Sequence, residues 1–247
     1  MSLPAYPPPC VPLSGLNEAL SRSGFALLCA ADVQRWLHTD AASMEALHAS
    51  WDTLPPDGFL KDGGRYRRRR HSCFVVDGAG VRQAPHRAHW QPLEYNALHG
   101  GMQRWFEPME PAVLASPLWQ ALLSTVGQAA SALHGARPWF VEAHPFRIDT
   151  TDGIGRPTPE GAHRDGVDLV AVFMLGRHGI KGGESRVFEA NGPSGQRFTL
   201  GEPWSLLLLD DARVIHETTP IQPVVAGELG WRDTLVLTYR RDSFQGG

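Results

Sequence analysis

Gly230-Trp231-Arg232-Asp233-Thr234-Leu235-Val236-Leu237-Thr238-Tyr239 is the stretch that best indicates the fold of this 247-residue chain. β-branched and aromatic residues are prominent in it, a composition typical of a β-strand. Alternate side chains of a strand point to the same face, so Arg232 and Thr234 would face one way. The stretch therefore predicts a strand near the end of the chain that presents a guanidinium and a hydroxyl side by side.

Similar strand-like runs precede this one, and turn residues separate them at short intervals. They cover residues 139–148, 167–175, 186–190, 196–200, 204–209 and 214–218. Helix-like patterns are confined to the first half, at residues 14–22, 31–50 and 116–134. Many short strands favour a sandwich or barrel, and segregated helices argue against alternating βαβ units. The prediction is a mainly β (α+β) protein with a double-stranded β-helix core, a cupin-like jelly roll, and supporting N-terminal helices.

A second informative stretch, Gly161-Ala162-His163-Arg164-Asp165-Gly166, carries a histidine and an aspartate two residues apart. If this stretch is a strand, both side chains share a face and converge on one ion. His216 follows in an apolar-flanked run and supplies a second imidazole. Two imidazoles and one carboxylate form a facial triad that leaves coordination positions open on Fe(II). His163, Asp165 and His216 are therefore the candidate catalytic metal ligands.

The strand that begins near Trp231 offers a partner for this site. A guanidinium fork beside a hydroxyl binds a carboxylate well, because it provides bidentate charge-assisted hydrogen bonds and one further donor. Arg232 and Thr234 could hold one end of a dicarboxylic co-substrate while its keto-acid end chelates the iron.

With these motifs the chain resembles the 2-oxoglutarate/Fe(II)-dependent dioxygenases. More narrowly, the segments 159–166, 182–185 and 216–221 are similar to the bacterial group that contains free L-isoleucine hydroxylases, over roughly residues 60 to 240. The resemblance implies iron ligation by His163, Asp165 and His216, and 2-oxoglutarate binding by Arg232 with help from Thr234. It also implies hydroxylation of an aliphatic C–H bond with O2, releasing succinate and CO2. In many relatives the arginine follows the second histidine more closely than here.

Four further residues are candidates for the substrate pocket. Arg67 and Arg69 belong to an arginine-rich run that continues as a strand, so alternate arginines point to opposite faces. If the substrate is a free amino acid, a cation must hold its α-carboxylate, and these arginines or Arg147 could supply it. Glu160 could receive the substrate ammonium. The alternative for the run is a solvated face or a phosphate-binding patch, and for Glu160 a turn at the surface.

Domain organisation and environment follow from length and composition. A hydrophobic fraction of 42%, with 8 tryptophans, 20 prolines and 26 glycines, suits one β-rich domain over residues 1–247. We expect a proline-rich arm at 1–13, mostly helical support with the arginine-rich strand at 14–135, and the jelly-roll core with the iron site at 136–247. Three cysteines, Cys10, Cys29 and Cys73, suggest neither a disulfide framework nor a Cys-x-x-Cys zinc site, which fits a reducing cytoplasm.

The net charge of −3 gives no global attraction to nucleic acid or anionic lipid, and neither a secretory signal nor a membrane span is predicted from the sequence. The leading hypothesis is a dioxygenase that acts on a small substrate, a free L-amino acid. One alternative keeps the cofactors but makes the substrate a protein side chain or nucleic acid. The other is a non-catalytic cupin-like metal-binding protein, because fold alone does not prove catalysis. The sequence leaves the oligomeric state open.

Overall fold

The computed structural model describes residues 6–96 and 98–246. Part of the predicted arm, residues 1–5, lies outside the described residues. The helices are α1 (Leu16–Ser23), α2 (Ala30–Trp36), α3 (Ala41–His48), α4 (Pro111–Leu114) and α5 (Pro117–His134), with short 3-10 turns at Leu13–Gly15 and Ala49–Thr53. No helix within these two ranges has the length and hydropathy to span a membrane.

The strands fill most of the second half, as the sequence predicts. They are β1 (Phe25–Leu28), β2 (Arg67–Arg69), β3 (Ser72–Asp77), β4 (Gly80–Gln83), β5 (Trp139–Asp149), β6 (Leu169–His178), β7 (Ile180–Gly182), β8 (Ser185–Glu189), β9 (Gly195–Phe198), β10 (Leu206–Asp210), β11 (Val214–Thr218), β12 (Ile221–Pro223) and β13 (Trp231–Arg240).

The strands form a large antiparallel sheet and two smaller ones. The large sheet has the order β1-β10-β6-β13-β5-β3-β4, and β2 also pairs with β5. The three-stranded sheet has the order β11-β8-β9, and β12 pairs with β7. The mainly β architecture with a jelly-roll core is therefore confirmed, although residues 14–135 contribute four strands where one was expected. The division into one domain stays a prediction.

The two faces of the large sheet have different roles, and the cavity lies on one of them. Odd-numbered β13 residues, such as Leu235 and Leu237, pack with Trp119 and Leu122 of α5 in the main hydrophobic core. Even-numbered residues of β5 and β13 face the opposite side and line a cavity. The period of two along a strand thus separates structural from functional side chains. β10 lies in the sheet interior between β1 and β6, and both of its faces are apolar, which explains its run of four leucines.

The helical pattern at residues 31–50 is interrupted. His38 adopts a left-handed backbone conformation with φ 49°, and the chain restarts as α3 after Asp40. The Asp40 carboxylate accepts a hydrogen bond from the backbone N–H of Ser43 at 2.7 Å and so caps α3. The single helix expected here is two helices, because a strong N-cap residue lies in its middle.

Candidate active site

The structure brings the three predicted iron ligands together. His163 and His216 form an isolated antiparallel bridge in which each backbone N–H donates to the other's carbonyl, at 3.0 and 2.9 Å. Their Nε2 atoms lie 3.8 and 3.7 Å from the two carboxylate oxygens of Asp165. One backbone pairing therefore sets both imidazoles beside one carboxylate.

The local conformation differs from the predicted strand. Only His163 makes a bridge, and Asp165 lies in irregular backbone. The carboxylate of Asp211 accepts hydrogen bonds from the backbone N–H groups of Asp165 (2.9 Å), Gly166 (2.8 Å) and Val167 (3.1 Å). These bonds replace the missing ladder and fix the loop. Sequence reasoning missed Asp211, because its role depends on a contact between segments 46 residues apart.

Outer contacts orient the ligand atoms. Nδ1 of His163 donates to the carbonyl of Gly161 at 2.9 Å, which directs its Nε2 toward Asp165. Gln91 donates from Nε2 to Asp165 Oδ1 at 3.4 Å. Such outer hydrogen bonds position the ligands of metal sites. Burial lowers the pKa of His216 to about 3, so this imidazole is neutral and able to ligate a metal. The donor set and its outer contacts fit Fe(II).

The three ligands open onto a cavity of about 140 Å³. Its wall opposite the triad is the large sheet, where the inward residues are Phe140, Glu142, His144, Phe146 and Ile148 of β5 and Arg232, Thr234, Val236, Thr238 and Arg240 of β13. The cavity thus combines apolar side chains with several charged ones.

Arg232 and Thr234 lie in this wall on the same face of β13, as predicted, despite a β-bulge between Asp233 and Thr234. Arg232 is 4% exposed, and its Nε has no hydrogen-bond partner. Burial, together with the nearby cation Arg177, lowers its pKa to about 10. Among the described residues no carboxylate forms an ion pair with it. A buried guanidinium without a counter-charge is costly, so this position suits an anionic ligand.

The arginine-rich run alternates as expected of a strand. Arg67 and Arg69 line the cavity, whereas Arg68 pairs outside it with Asp149 at 3.5 Å. The charge of Arg67 is already compensated by Asp57, whose Oδ2 accepts from Nε at 2.7 Å. The guanidinium of Arg69 lies over the rings of Phe106 and Phe146, with its carbon 3.9 and 4.4 Å from their centroids. These cation–π contacts hold Arg69 in place.

The other two candidate substrate residues differ in position. Glu160 lines the cavity, with Oε1 3.5 Å from Nε2 of His163. Arg147 is an odd-numbered residue of β5 and does not line the cavity. Its guanidinium makes two hydrogen bonds to Asp233, at 2.8 and 2.7 Å, and lies 4.8 Å from the Trp231 ring. The strand period turns Arg147 away from the cavity mouth where we expected it.

A second cluster of histidines around a carboxylate lies beside the cavity and is made of His71, His89, Glu142 and His144, all buried. All but His71 line the cavity. Oε2 of Glu142 lies 2.9 Å from His71 Nε2 and 2.6 Å from His89 Nδ1. Nδ1 of His144 accepts from Arg69 at 2.6 Å. We call this group the Glu142 cluster. Sequence reasoning missed it, although Glu142-x-His144 repeats the two-residue spacing of the iron motif.

The electrostatics of the Glu142 cluster favour neutral rings around a charged carboxylate. Burial lowers the pKa of His89 to about 3 and that of His144 well below its ordinary range. The pKa of Glu142 lies below its ordinary value because His89 and His71 donate to it and offset its burial. The cluster is therefore an anion held by imidazole N–H groups.

A comparison with known families agrees with this geometry. The family model described as 2OG-Fe dioxygenase matches residues 48–238. The chain belongs to this family. It is accordingly a 2-oxoglutarate-dependent dioxygenase, and Fe(II), 2-oxoglutarate and O2 are its cofactors and co-substrates. The alternative of a non-catalytic cupin-like protein is set aside by this membership.

Solved structures extend the comparison to the whole fold. A BsmA homologue from Methylobium petroleophilum PM1 is 49% identical, with a TM-score of 0.91 and 96% of each chain covered. IDO from Bacillus thuringiensis is 18% identical, with a TM-score of 0.76, covering 93% of this dioxygenase and 99% of IDO. The Fe(II)/α-ketoglutarate-dependent dioxygenase TqaL is 20% identical, with a TM-score of 0.73 and coverages of 94% and 90%. The last two show a shared fold. Among curated proteins, none matches the sequence of this dioxygenase.

Proposed function

We propose that the enzyme hydroxylates an aliphatic C–H bond of a free L-amino acid. His163, Asp165 and His216 would hold Fe(II), and Arg232 with Thr234 would hold the C5 carboxylate of 2-oxoglutarate. Fe(II), when bound, supplies the oxidising chemistry together with 2-oxoglutarate and O2, and succinate and CO2 leave.

The protein's own contribution would be placement. Asp211 fixes the loop that carries Asp165, and the Gly161 carbonyl fixes the tautomer of His163. Arg232 offers a bidentate receptor for one end of the co-substrate, which sets the direction of its other end. The apolar side chains of Val172, Val236 and Phe140 line the same cavity and would exclude water from the reacting carbon.

The observation that carries the proposal is that the triad and Arg232 open onto one small cavity that is lined by further arginines. A volume of about 140 Å³ suits a small molecule. The similarity of three sequence segments to free L-isoleucine hydroxylases favours an aliphatic amino acid within that class. Hydrogen abstraction needs one C–H bond held near the metal, and a small cavity beside the triad provides such placement.

A protein or nucleic-acid substrate is less well supported. The outward arginines near the arginine-rich run are engaged: Arg65 bonds to Asp152 at 2.7 Å, Arg68 lies 3.5 Å from Asp149, and Arg70 bonds to Glu107 at 2.7 Å. These ion pairs reduce the positive charge that a phosphate backbone would contact.

The test is to incubate the protein with Fe(II), 2-oxoglutarate and O2 and to measure succinate with and without pooled free amino acids. We expect succinate release to rise with the pool and to vanish in His163→Ala. Turnover that no free amino acid raises would contradict the proposed substrate class. His178 is exposed and does not line the cavity, so His178→Gln serves as the matched control.

A further inference from the structure

Two of the guanidinium groups that line the cavity have no carboxylate or backbone-carbonyl partner among the described residues and no ligand assigned to them. Of the five arginines that line it, Arg67 is paired with Asp57, and Arg240 donates to the carbonyls of Ser243 and Phe244. Arg232 is assigned to 2-oxoglutarate. Arg69 and Arg104 remain, and neither forms an ion pair with a carboxylate within residues 6–96 and 98–246.

Arg104 is the more deeply set of these two. It is 2% exposed, its Nη2 donates to Gln91 Oε1 at 3.0 Å, and its Nε has no hydrogen-bond partner. Burial and the neighbouring cation Arg67 lower its pKa to about 10. A buried cation is destabilising unless an anion offsets it. Arg104 and Arg69 line the same cavity, and Arg104 is among the charges that act on Arg69, so these two cations are available to an anion other than the one assigned to Arg232.

A cation receptor lies directly beside Arg104. The backbones of His89 and Arg104 pair as an isolated antiparallel bridge, with N–H to carbonyl distances of 2.9 and 3.0 Å. Side chains of such paired residues are about 5 Å apart at Cβ. His89 donates from Nδ1 to Glu142 Oε2 at 2.6 Å, so its Nε2 is left as a hydrogen-bond acceptor. Both His89 and Glu142 line the cavity.

This juxtaposition matches the two charged groups of an α-amino acid. The carboxylate needs hydrogen-bond donors and positive charge. The ammonium nitrogen, bonded to the adjacent α-carbon, needs acceptors and negative charge. We propose that Arg104 and Arg69 bind the α-carboxylate of the substrate, and that Glu142 and His89 bind its α-ammonium. The proposal rests on the proposed function and assigns the residues that hold the two charged groups of that amino acid.

The hydrogen-bond pattern of the Glu142 cluster favours this role over a second metal ion. Arg69 can only donate, so His144 Nδ1 must accept and its Nε2 carries the proton. The 2.6 Å contact of His89 with Glu142 is shorter than the ~3 Å that separates neighbouring ligands at metal–nitrogen distances of about 2.1 Å. Both features describe protonated donors around a carboxylate.

The experiment compares three forms of one amino acid that the enzyme turns over: the acid, its carboxamide and its desamino acid. Succinate release gives kcat/KM for each with wild type, Arg104→Gln and Glu142→Gln. We expect the wild type to lose about 100-fold for the carboxamide and for the desamino acid, a loss typical of a charge-assisted pair.

Each variant should lose the preference for the one charged group that its wild-type residue is proposed to bind. Arg104→Gln should lose about 100-fold for the acid and little further for the carboxamide, with KM for 2-oxoglutarate unchanged. Glu142→Gln should lose activity for the amino acid and little further for the desamino acid. Arg104→Lys should recover part of the loss. Arg68→Gln, on the outer face of β2, is the matched control.

Failures of the two proposals are distinguishable. If no free amino acid raises succinate release, the proposed function and the receptor both fail. If amino acids are substrates but wild type accepts acid and carboxamide alike, the receptor alone fails. The receptor also fails if anaerobic titration finds a second metal ion that Glu142→Gln removes. For any variant that does not fold, the wild-type comparison of the three compounds decides.

Discussion

Two clusters in the same cavity use nearly the same residue types and differ in spacing. In the triad, each imidazole Nε2 lies 3.7 to 3.8 Å from Asp165, too far for hydrogen bonds. In the Glu142 cluster, His71 and His89 lie 2.9 and 2.6 Å from one carboxylate oxygen. Residue type alone therefore does not distinguish the two clusters, and the wider separation of the side-chain atoms favours the triad as the metal centre.

The origin of the difference is the backbone. His163 and Asp165 lie on a loop held open by Asp211, so their side chains approach without closing on each other. Glu142 and His144 lie on the regular strand β5, and His71 and His89 close over them from other segments. A loop with fixed outer contacts leaves room for an ion, whereas on the packed strand face two imidazole N–H groups close directly on the carboxylate.

The largest effect should come from the triad. Replacing Asp165 with alanine removes the carboxylate of the proposed triad, and we expect succinate release to fall by about a thousandfold or more, because the metal chemistry is lost. Glu142→Gln should retain uncoupled succinate release when no amino acid is present. Comparable losses in both variants in that assay would remove the distinction between the clusters.

A smaller effect is expected at Arg232, the arginine proposed to bind 2-oxoglutarate. Arg232→Gln removes a bidentate donor, so KM for 2-oxoglutarate should rise about 100-fold while KM for the amino acid changes little. Arg232→Lys should recover part of the affinity, since it keeps the charge and loses the fork. A parallel rise in both KM values would place Arg232 outside the co-substrate site.

The loop that spaces the triad offers a third test. Asp211→Asn removes one of two carboxylate oxygens that accept backbone N–H groups, so Asp165 should be less well positioned. Iron affinity should fall 10- to 100-fold, as outer-contact changes do at metal sites. Anaerobic Fe(II) titration measures it, with the exposed Asp242→Asn as control. Unchanged affinity would mean that Asp211 does not set the spacing.

The smallest effect concerns stability and pH. The pKa of His89 is lowered to about 3 by burial, whereas an unfolded histidine titrates near 6.5. The unfolded state therefore binds more protons between these values, and the free energy of unfolding decreases as pH falls through this window. His89 contributes up to about 2 kcal/mol of this decrease between pH 7 and 5. Urea unfolding of metal-free protein should show it, and His89→Gln should reduce it.

The sequence predicts those parts of the site that follow a strand period or a short motif. His163, Asp165 and His216 converge, and Arg232 shares a face with Thr234. Most strands of the second half are also confirmed, because their apolar runs are short and bounded by turns. The predicted reason why His163 and Asp165 converge, a shared strand, was partly wrong, since Asp165 lies on a loop.

The rest depends on contacts between distant segments. Glu142 meets His71 and His89, which are 71 and 53 residues away. No short sequence motif predicts contacts between residues so far apart in the chain. Arg147 shows the reverse error: we expected it in the substrate pocket, but its odd-numbered position on β5 turns its side chain to Asp233.

Anaerobic titration with Fe(II), followed by metal analysis after gel filtration, tests the central claim most directly. The account predicts one iron per chain in the wild type, no iron in Asp165→Ala and one iron in Glu142→Gln. Two irons in the wild type, or iron that survives Asp165→Ala and disappears in Glu142→Gln, would contradict the assignment of the metal centre to the triad.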